Sequence, residues 1–160
     1  MGYEEVKKYF EDNHIPNEII LLDESSATVE LAAKALSREP GEIAKSIAME
    51  LKDGKHIVLV VMGTARIDNR KFKDQFQCKA KMLSFDDTLT VTGHPVGGVC
   101  PFALPDGIDV YLDESLKKYE TIFPAAGTGN SAVEFTPDDL ARVTGGIWVD
   151  VTKDVAEVAG

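Results

Sequence analysis

The chain has 160 residues, 28% of them charged and 44% apolar, with a formal net charge of −10; this is the make-up of a globular domain large enough to bury a core unaided. The acidity argues against nucleic-acid binding over the whole surface. No apolar run reaches the roughly 18 residues of a membrane span, and Met1-Gly2-Tyr3-Glu4-Glu5 lacks the basic and apolar regions of a signal peptide, so a single cytoplasmic domain over 1–160, off any membrane, is expected.

Tyr3 to Asn13 reads as a helix, with Val6, Tyr9 and Phe10 at helical spacing and His14 at its C-terminal end before Pro16. Ile19-Ile20-Leu21-Leu22 is a short apolar strand, and Ser26 or Thr28 can cap the next helix, which runs through Leu36 and ends before Pro40-Gly41. Ile43 to Leu51 and His56 to Met62 are two strands joined by Lys52-Asp53-Gly54-Lys55, a strong hairpin signal. The second is apolar on both faces, as deep in a sheet.

The first of these strands carries a charge in its dry row. Side chains alternate faces, so Ile43, Lys45, Ile47, Met49 and Leu51 share one face while Ala44, Ser46, Ala48 and Glu50 share the other. Burying an unpaired ammonium is costly. Lys45 therefore either points into a cavity with an anionic partner or ligand at its tip, or lies on an edge and snorkels to water.

Asp68 to Phe76 makes a small helix with Phe72 and Phe76 four apart. Between Arg66 and Lys81 six basic residues (Arg66, Arg70, Lys71, Lys73, Lys79, Lys81) face two acids, whereas downstream of Phe102 four basic residues face eleven acids, Glu157 the last of them. Such polarity presents either one basic face on an acidic protein or a solvated helix. Ser84 caps another short helix, stopped by Gly93, and strand-like pieces recur at Val110–Leu112, Thr121–Phe123, Ala132–Phe135 and Ile147–Val151. Thr136 caps a last helix with Pro137 in its first turn, ended by Gly145-Gly146. Short strands with small helices between them predict an α+β domain with a mixed, barrel-like sheet flanked by short helices, not a doubly wound parallel sheet.

Two glycine-containing loops stand out, Gly93 to Phe102 and Ala125 to Ser131. Glycine lets backbone N–H groups approach a ligand closely, yet neither loop has nucleotide-fingerprint spacing. Cys78 and Cys100 have no CxxC partner, which predicts two reduced thiols and no metal or cofactor. Cys100 with His94 nearby leaves a cysteine nucleophile open.

Ala44-Lys45-Ser46-Ile47 in a strand, the run Thr92-Gly93-His94-Pro95-Val96-Gly97-Gly98-Val99-Cys100-Pro101-Phe102, then Val110 to Leu116, and Ala126-Gly127 before Thr136-Pro137-Asp138-Asp139-Leu140 together resemble the YbaK/prolyl-tRNA-synthetase-associated domain family. The resemblance covers nearly the whole chain in order. It implies an aminoacyl-tRNA deacylase, free-standing or inserted in the synthetase, that hydrolyses mischarged tRNA on a mixed sheet curled into a barrel. Lys45 then matches the family's essential lysine, Gly93 and Gly97 its Gly-x-x-x-Gly loop, and Gly127 its second loop, where some members carry a histidine and this chain has Gly129-Asn130-Ser131.

The expected chemistry is trans-editing, because a synthetase pocket cannot strongly reject a smaller or near-isosteric amino acid. Lys45 would hold a phosphate or the terminal ribose of the acceptor end while N–H groups of Gly93, Gly97 and Gly98 hold the ester carbonyl. Ser46, His94, Pro101, Phe102, Gly127, Gly129, Asn130 and Ser131 are expected around the aminoacyl group, with Leu21, Leu22, Val29 and Met62 as candidates for setting its size. Arg66, Arg70 and Lys73 are expected on a basic rim for the tRNA. The expected partners are mischarged tRNA, that for proline first, and prolyl-tRNA synthetase; the alternatives are a non-catalytic aminoacyl- or tRNA-binding module of the same fold, and hydrolysis of a small ester or thioester.

Overall fold

A computed structural model describes residues 2–154 of the chain; of the expected domain 1–160, residue 1 and residues 155–160, which include Glu157, lie outside the described residues. In chain order the elements are α1 (Tyr3–Asp12), β1 (Ile19–Leu21), α2 (Val29–Leu36), β2 (Ile43–Glu50), β3 (His56–Met62), β4 (Ala65–Ile67), α3 (Asn69–Phe76), α4 (Phe85–Thr92), β5 (Asp109–Asp113), β6 (Phe123–Pro124), β7 (Ser131–Val133), α5 (Pro137–Thr144), β8 (Ile147–Val149) and β9 (Thr152–Asp154), with 3-10 turns at Pro40–Glu42 and Glu114–Lys118. Every helix after the first starts on a side chain that accepts a backbone N–H, from Thr28, Asp68, Ser84 and Thr136 in turn. No helix among the described residues is long and apolar enough to cross a membrane.

The main sheet is mixed and five-stranded, in the order β6-β2-β3-β5-β8. β2 and β3 form the antiparallel hairpin that Asp53-Gly54 predicts, in register from Ala44↔Met62 to Glu50↔His56, with Gly54 at φ 84° in the turn. The other pairs, β2 with β6, β3 with β5 and β5 with β8, are parallel. β1 with β7 and β4 with β9 make two small antiparallel sheets. β3 is central and its last six residues are buried.

The sheet buries a different core on each face. Ala44, Val58, Val60, Val110 and Leu112 pack with Val6 and Phe10 of α1 and Leu140 of α5, where Phe10, Phe102 and Phe135 form an aromatic cluster with ring centroids 4.9 to 6.1 Å apart. On the opposite face Ile47, Met49, Ile57, Leu59 and Val61 pack with Phe72 and Phe76 of α3. Lys45, opposite Val61 in the register, belongs to this second face.

β2 is paired unevenly along its other edge. At its start it meets β6 through Ile43↔Phe123 and Ala44↔Pro124. At its end an irregular segment replaces a strand: Met82 bridges to Met49, the Glu50 N–H donates to the Lys81 carbonyl at 3.0 Å, and the Leu83 N–H donates to the Ala48 carbonyl at 3.1 Å. The main-chain groups of Ala48 and Glu50 thus point outward, and since successive residues alternate in the edge they address, those of Ser46 point outward too. Ser46 falls in the gap between the two pairings.

Three expectations need correction. The run Ile147–Val151 is not one strand; β8 stops at Val149 and the Val151 N–H turns to Asp113 Oδ1 at 2.8 Å, so β9 can pair with β4. The strand expected at Thr121–Phe123 becomes Phe123–Pro124, with Ile122 bridging separately to Phe135. His14 lies beyond α1, at φ 55°.

Asp113 holds this corner, accepting from the Ser115 and Val151 amides at 2.9 and 2.8 Å and from the Thr152 hydroxyl at 2.6 Å while fully buried. Asp113→Ala strands three buried donors, and urea unfolding is expected to register a loss on the order of 3 kcal/mol or more. A loss under about 0.5 kcal/mol would mean that the corner does not depend on this carboxylate.

Candidate functional site

The gap in the β2 edge opens onto a cavity of about 430 Å³. β2 contributes Ile43 to Ala48, the approach to α2 contributes Ser26, Ala27 and Thr28, the segment around the start of α4 contributes Met82, Leu83 and Phe85, and the floor carries Ala125, Ser131 and Ala132. The first glycine loop closes the remaining side through Val96, Gly97 and Val99. Lys45 is the one titratable side chain on this wall among the described residues.

Lys45 donates to the Ala65 carbonyl at 3.2 Å and makes no ion pair among the described residues. Burial, then the positive Arg66, hold its pKa below the usual lysine value against a smaller opposing pull from Glu30. The ammonium is therefore half buried, incompletely satisfied and close to a second positive charge, which favours an incoming anion.

The two glycine loops are joined to each other. The Gly127 N–H donates to the Gly98 carbonyl at 3.1 Å, and a Cβ on Gly98 would sit 2.6 Å from the Thr128 nitrogen; the contact has no room for a side chain. The Gly93 amide is bound to Leu89 O as the C-terminal cap of α4, and the Gly98 amide to Pro95 O. Among the described residues the Gly97 amide has no acceptor, and Gly97, at φ 94°, lies on the cavity wall. Ser131 Oγ accepts from the amides of Ala126 and Thr128 at 3.1 and 3.4 Å, Gly129 O takes the Ser26 N–H at 2.7 Å, and Asn130 bridges exposed from Thr128 to Leu22. These bonds fix the second loop against the approach to α2.

His94, Pro101 and Phe102 stand behind the wall. His94 is buried, with Nε2 2.7 Å from the Phe102 carbonyl, so Nε2 carries the proton and donates. Burial lowers its pKa despite that bond, and Nδ1 has no partner among the described residues. Cys100 Sγ is 3.6 Å from the same Nε2, but burial pushes the thiol up to about 12. A buried neutral thiol facing a ring N–H is no activated nucleophile. Pro101 is buried and Phe102 belongs to the aromatic core.

The family model for the aminoacyl-tRNA editing domain matches residues 23–143. The chain belongs to that family. It is 42% identical over 155 residues to YwhH of Bacillus subtilis (strain 168), covering 96% of this chain and 99% of that one. It is 27% identical over 130 residues, 81% of this chain and 79% of the other, to EbsC of Enterococcus faecalis (strain ATCC 700802 / V583), whose name proposes a Cys-tRNA(Pro)/Cys-tRNA(Cys) deacylase. A crystal structure described as a proposed trans-editing enzyme for prolyl tRNA synthetase superposes with a TM-score of 0.86 at 26% identity, covering 95% of this chain and 97% of that one. The structure of the hypothetical protein APE2540 gives the same TM-score at 26% identity, over 93% and 99%.

Of the residues singled out in sequence, this editing domain brings Lys45, Ser46, Gly97 and Ser131 to the cavity. Gly93, His94, Gly98, Pro101, Phe102, Gly127, Gly129 and Asn130 shape or support the loops without lining it. Arg66, Arg70 and Lys73 are exposed beyond the wall, Arg66 close enough to depress Lys45; of the same basic segment Lys71 is bound to Asp150 at 3.1 Å and Lys81 to Glu50 at 3.0 Å. Among the size candidates Val29 lines the cavity, whereas Leu21 is exposed and Leu22 and Met62 lie elsewhere, the Met62 amide bound to Ser115. Sequence reading missed Met82, Leu83 and Phe85, because only tertiary pairing brings that segment to the β2 edge. Among the described residues no three His, Cys, Asp or Glu side chains converge as metal ligands.

The thiol geometry makes a direct prediction. Native protein at pH 8 should react with Ellman's reagent at Cys78, half-buried, and at Cys100 only after denaturation. Two fast thiols in the native protein would restore Cys100 as a candidate nucleophile.

Proposed function

We propose that this chain is a trans-editing aminoacyl-tRNA deacylase, cleaving the ester between a wrong amino acid and the 3′ end of tRNA, with tRNA for proline as the first substrate to test. The observation that carries the reading is Lys45, held half buried and under-satisfied at a cavity that the open β2 edge enters. Membership of the editing family supports it, as do the names given to EbsC and to the trans-editing structure.

The residues suggest a division of labour. Lys45, with Arg66 behind it, anchors a phosphate or the terminal ribose. The uncommitted Gly97 amide faces the ester carbonyl as negative charge develops on its oxygen; Gly93 and Gly98 act by shaping the loop that presents it. Among the described residues no side chain on the wall is placed to act as a general base, so the attacking oxygen comes from water, which gives up its proton to solvent or to a group of the substrate itself. The water oxygen bonds to the carbonyl carbon, the ester C–O bond breaks, and the leaving ribose oxygen takes up a proton. Arg66, Arg70 and Lys73 form the basic approach for the acceptor stem, and prolyl-tRNA synthetase is the proposed partner in handing over the product.

The second reading is a non-catalytic aminoacyl- or tRNA-binding module, favoured by the absence, among the described residues, of a titratable partner for Lys45 on the wall. Lys45→Met decides between them. Deacylation of mischarged tRNA should fall at least about a hundredfold in kcat/KM. The fold should not suffer: the lysine pKa is lowered on folding, so the ammonium costs stability throughout the range below that lowered pKa, and the cost fades as pH rises through it towards the unfolded value. At pH 7 the variant should melt no lower than the parent. Charge reversal at Arg70 and Lys73 should raise KM for tRNA with little change in kcat, more so at low salt. Parent protein that binds charged tRNA yet releases no amino acid from any of a panel favours the module, and undiminished activity of Lys45→Met removes Lys45 from the mechanism.

A further inference from the structure

Among the described residues five hydroxyl side chains reach the cavity wall, and four of them are committed. Ser26 donates to the Ser131 carbonyl at 3.4 Å, Thr28 caps α2 by accepting from the Leu31 amide at 3.2 Å, Thr88 donates to the Ser84 carbonyl at 2.7 Å, and Ser131 donates to the Thr128 carbonyl at 3.2 Å. Ser46 Oγ is the exception. It is buried and has no partner among the described residues, an arrangement that folded proteins avoid unless something else completes it.

Its position says what that could be. Ser46 is the middle of the row Ala44, Ser46, Ala48, on the face of β2 opposite Lys45. Here the cavity is walled by small side chains, Ala44 and Ala48 on the strand and Ala125 and Ala132 across from it. The same residue sits at the unpaired stretch of the edge, its N–H and C=O turned outward between the pairings to Pro124 and to Leu83. A short extended group laid along this gap would find a carbonyl acceptor, an amide donor and, one step deeper among alanines, a single hydroxyl.

We infer that Ser46 selects the amino acid: the open edge takes the α-amino and ester groups, and Ser46 Oγ hydrogen-bonds a small side chain bearing a hydroxyl, so that seryl esters are preferred to alanyl ones. The inference rests on the deacylase reading and deepens it. A seryl hydroxyl both donates and accepts, and so completes the unpartnered Ser46 Oγ; an alanyl methyl leaves it unpaired, and sites built to hydrogen-bond a substrate hydroxyl discriminate strongly against analogues that lack it. A cysteinyl thiol, a weak donor and acceptor, falls between them.

The test compares Ser-, Ala- and Cys-esters on one tRNA body for proline, using the parent and Ser46→Ala, with calorimetric binding of the non-hydrolysable seryl and alanyl amides of 3′-amino-3′-deoxyadenosine alongside. The parent should favour the seryl over the alanyl ester by about tenfold or more in kcat/KM, and Ser46→Ala should bring the ratio to within about threefold. The amides should show the same change in binding ratio. Ser46→Ala should melt no lower than the parent, since it removes an unpartnered polar atom. A parent that prefers alanyl or cysteinyl esters, or a seryl preference that survives Ser46→Ala, overturns the inference and leaves the deacylase reading standing. No release from any ester together with no binding of either amide overturns both. Binding of the amides with a Ser46-dependent seryl preference but no hydrolysis supports the inference and sinks the enzymatic reading alone.

Discussion

The main chain of β2 is satisfied on one side by seven consecutive residue pairs with β3, and on the other, among the described residues, only at its two ends. Backbone amides and carbonyls must find partners when buried, so a strand left open in mid-length beside a cavity is an unusual arrangement to maintain. Each surrounding element keeps the gap from closing. β6 is two residues long and ends in Pro124, which has no N–H to offer, and Met82 to Leu83 meet the strand only from Ala48 onward. The hairpin then fixes the register, so that Lys45 and Ser46 leave the same stretch of backbone on opposite faces.

The glycine loops serve that gap indirectly. Gly98 lies so close to Gly127 and Thr128 that it tolerates no side chain, Gly127 is closed off in turn by Gly2, and the Gly127-to-Gly98 bond locks the loop carrying Gly97 to the loop carrying Ser131. His94 and Phe102 secure the first loop from behind through an imidazole-to-carbonyl bond and a stack on Phe135. The loop's contribution to the cavity wall reduces to Gly97 with Val96 and Val99. Its stiffness matters for the proposed chemistry, because an amide that is already aimed needs no reorganisation when charge develops on a substrate oxygen.

Much of this was legible in the chain. The Asp53-Gly54 turn between two apolar runs predicts the hairpin, the alternation of Ile43, Lys45 and Ile47 places a charge in a dry row, and Thr28, Asp68, Ser84 and Thr136 announce helix starts that the structure keeps. β4 and β9 were not legible, since three-residue strands owe their existence to each other and to the Asp113 corner more than to propensity. Nor was the approach of Met82 and Leu83 to β2, and with it the gap. The glycines illustrate the limit most clearly: spacing marks Gly93, Gly97 and Gly98 alike, yet only the tertiary hydrogen bonds distinguish a helix cap and a loop splice from the Gly97 amide, which has no acceptor among the described residues. Sequence likewise puts Ser46 among several expected contacts of the aminoacyl group, and only the partners of the other four wall hydroxyls set it apart.

The central claim is that the unpaired stretch of β2 receives the aminoacyl end of the substrate. Backbone amide NMR during titration with a non-hydrolysable aminoacyl amide of 3′-amino-3′-deoxyadenosine tests it most directly. The account predicts that the Ser46 and Gly97 amides shift together along one saturation curve, while amides of β3, already paired on both sides, stay in place. Saturable binding that shifts residues elsewhere and leaves both of those amides unmoved would contradict it.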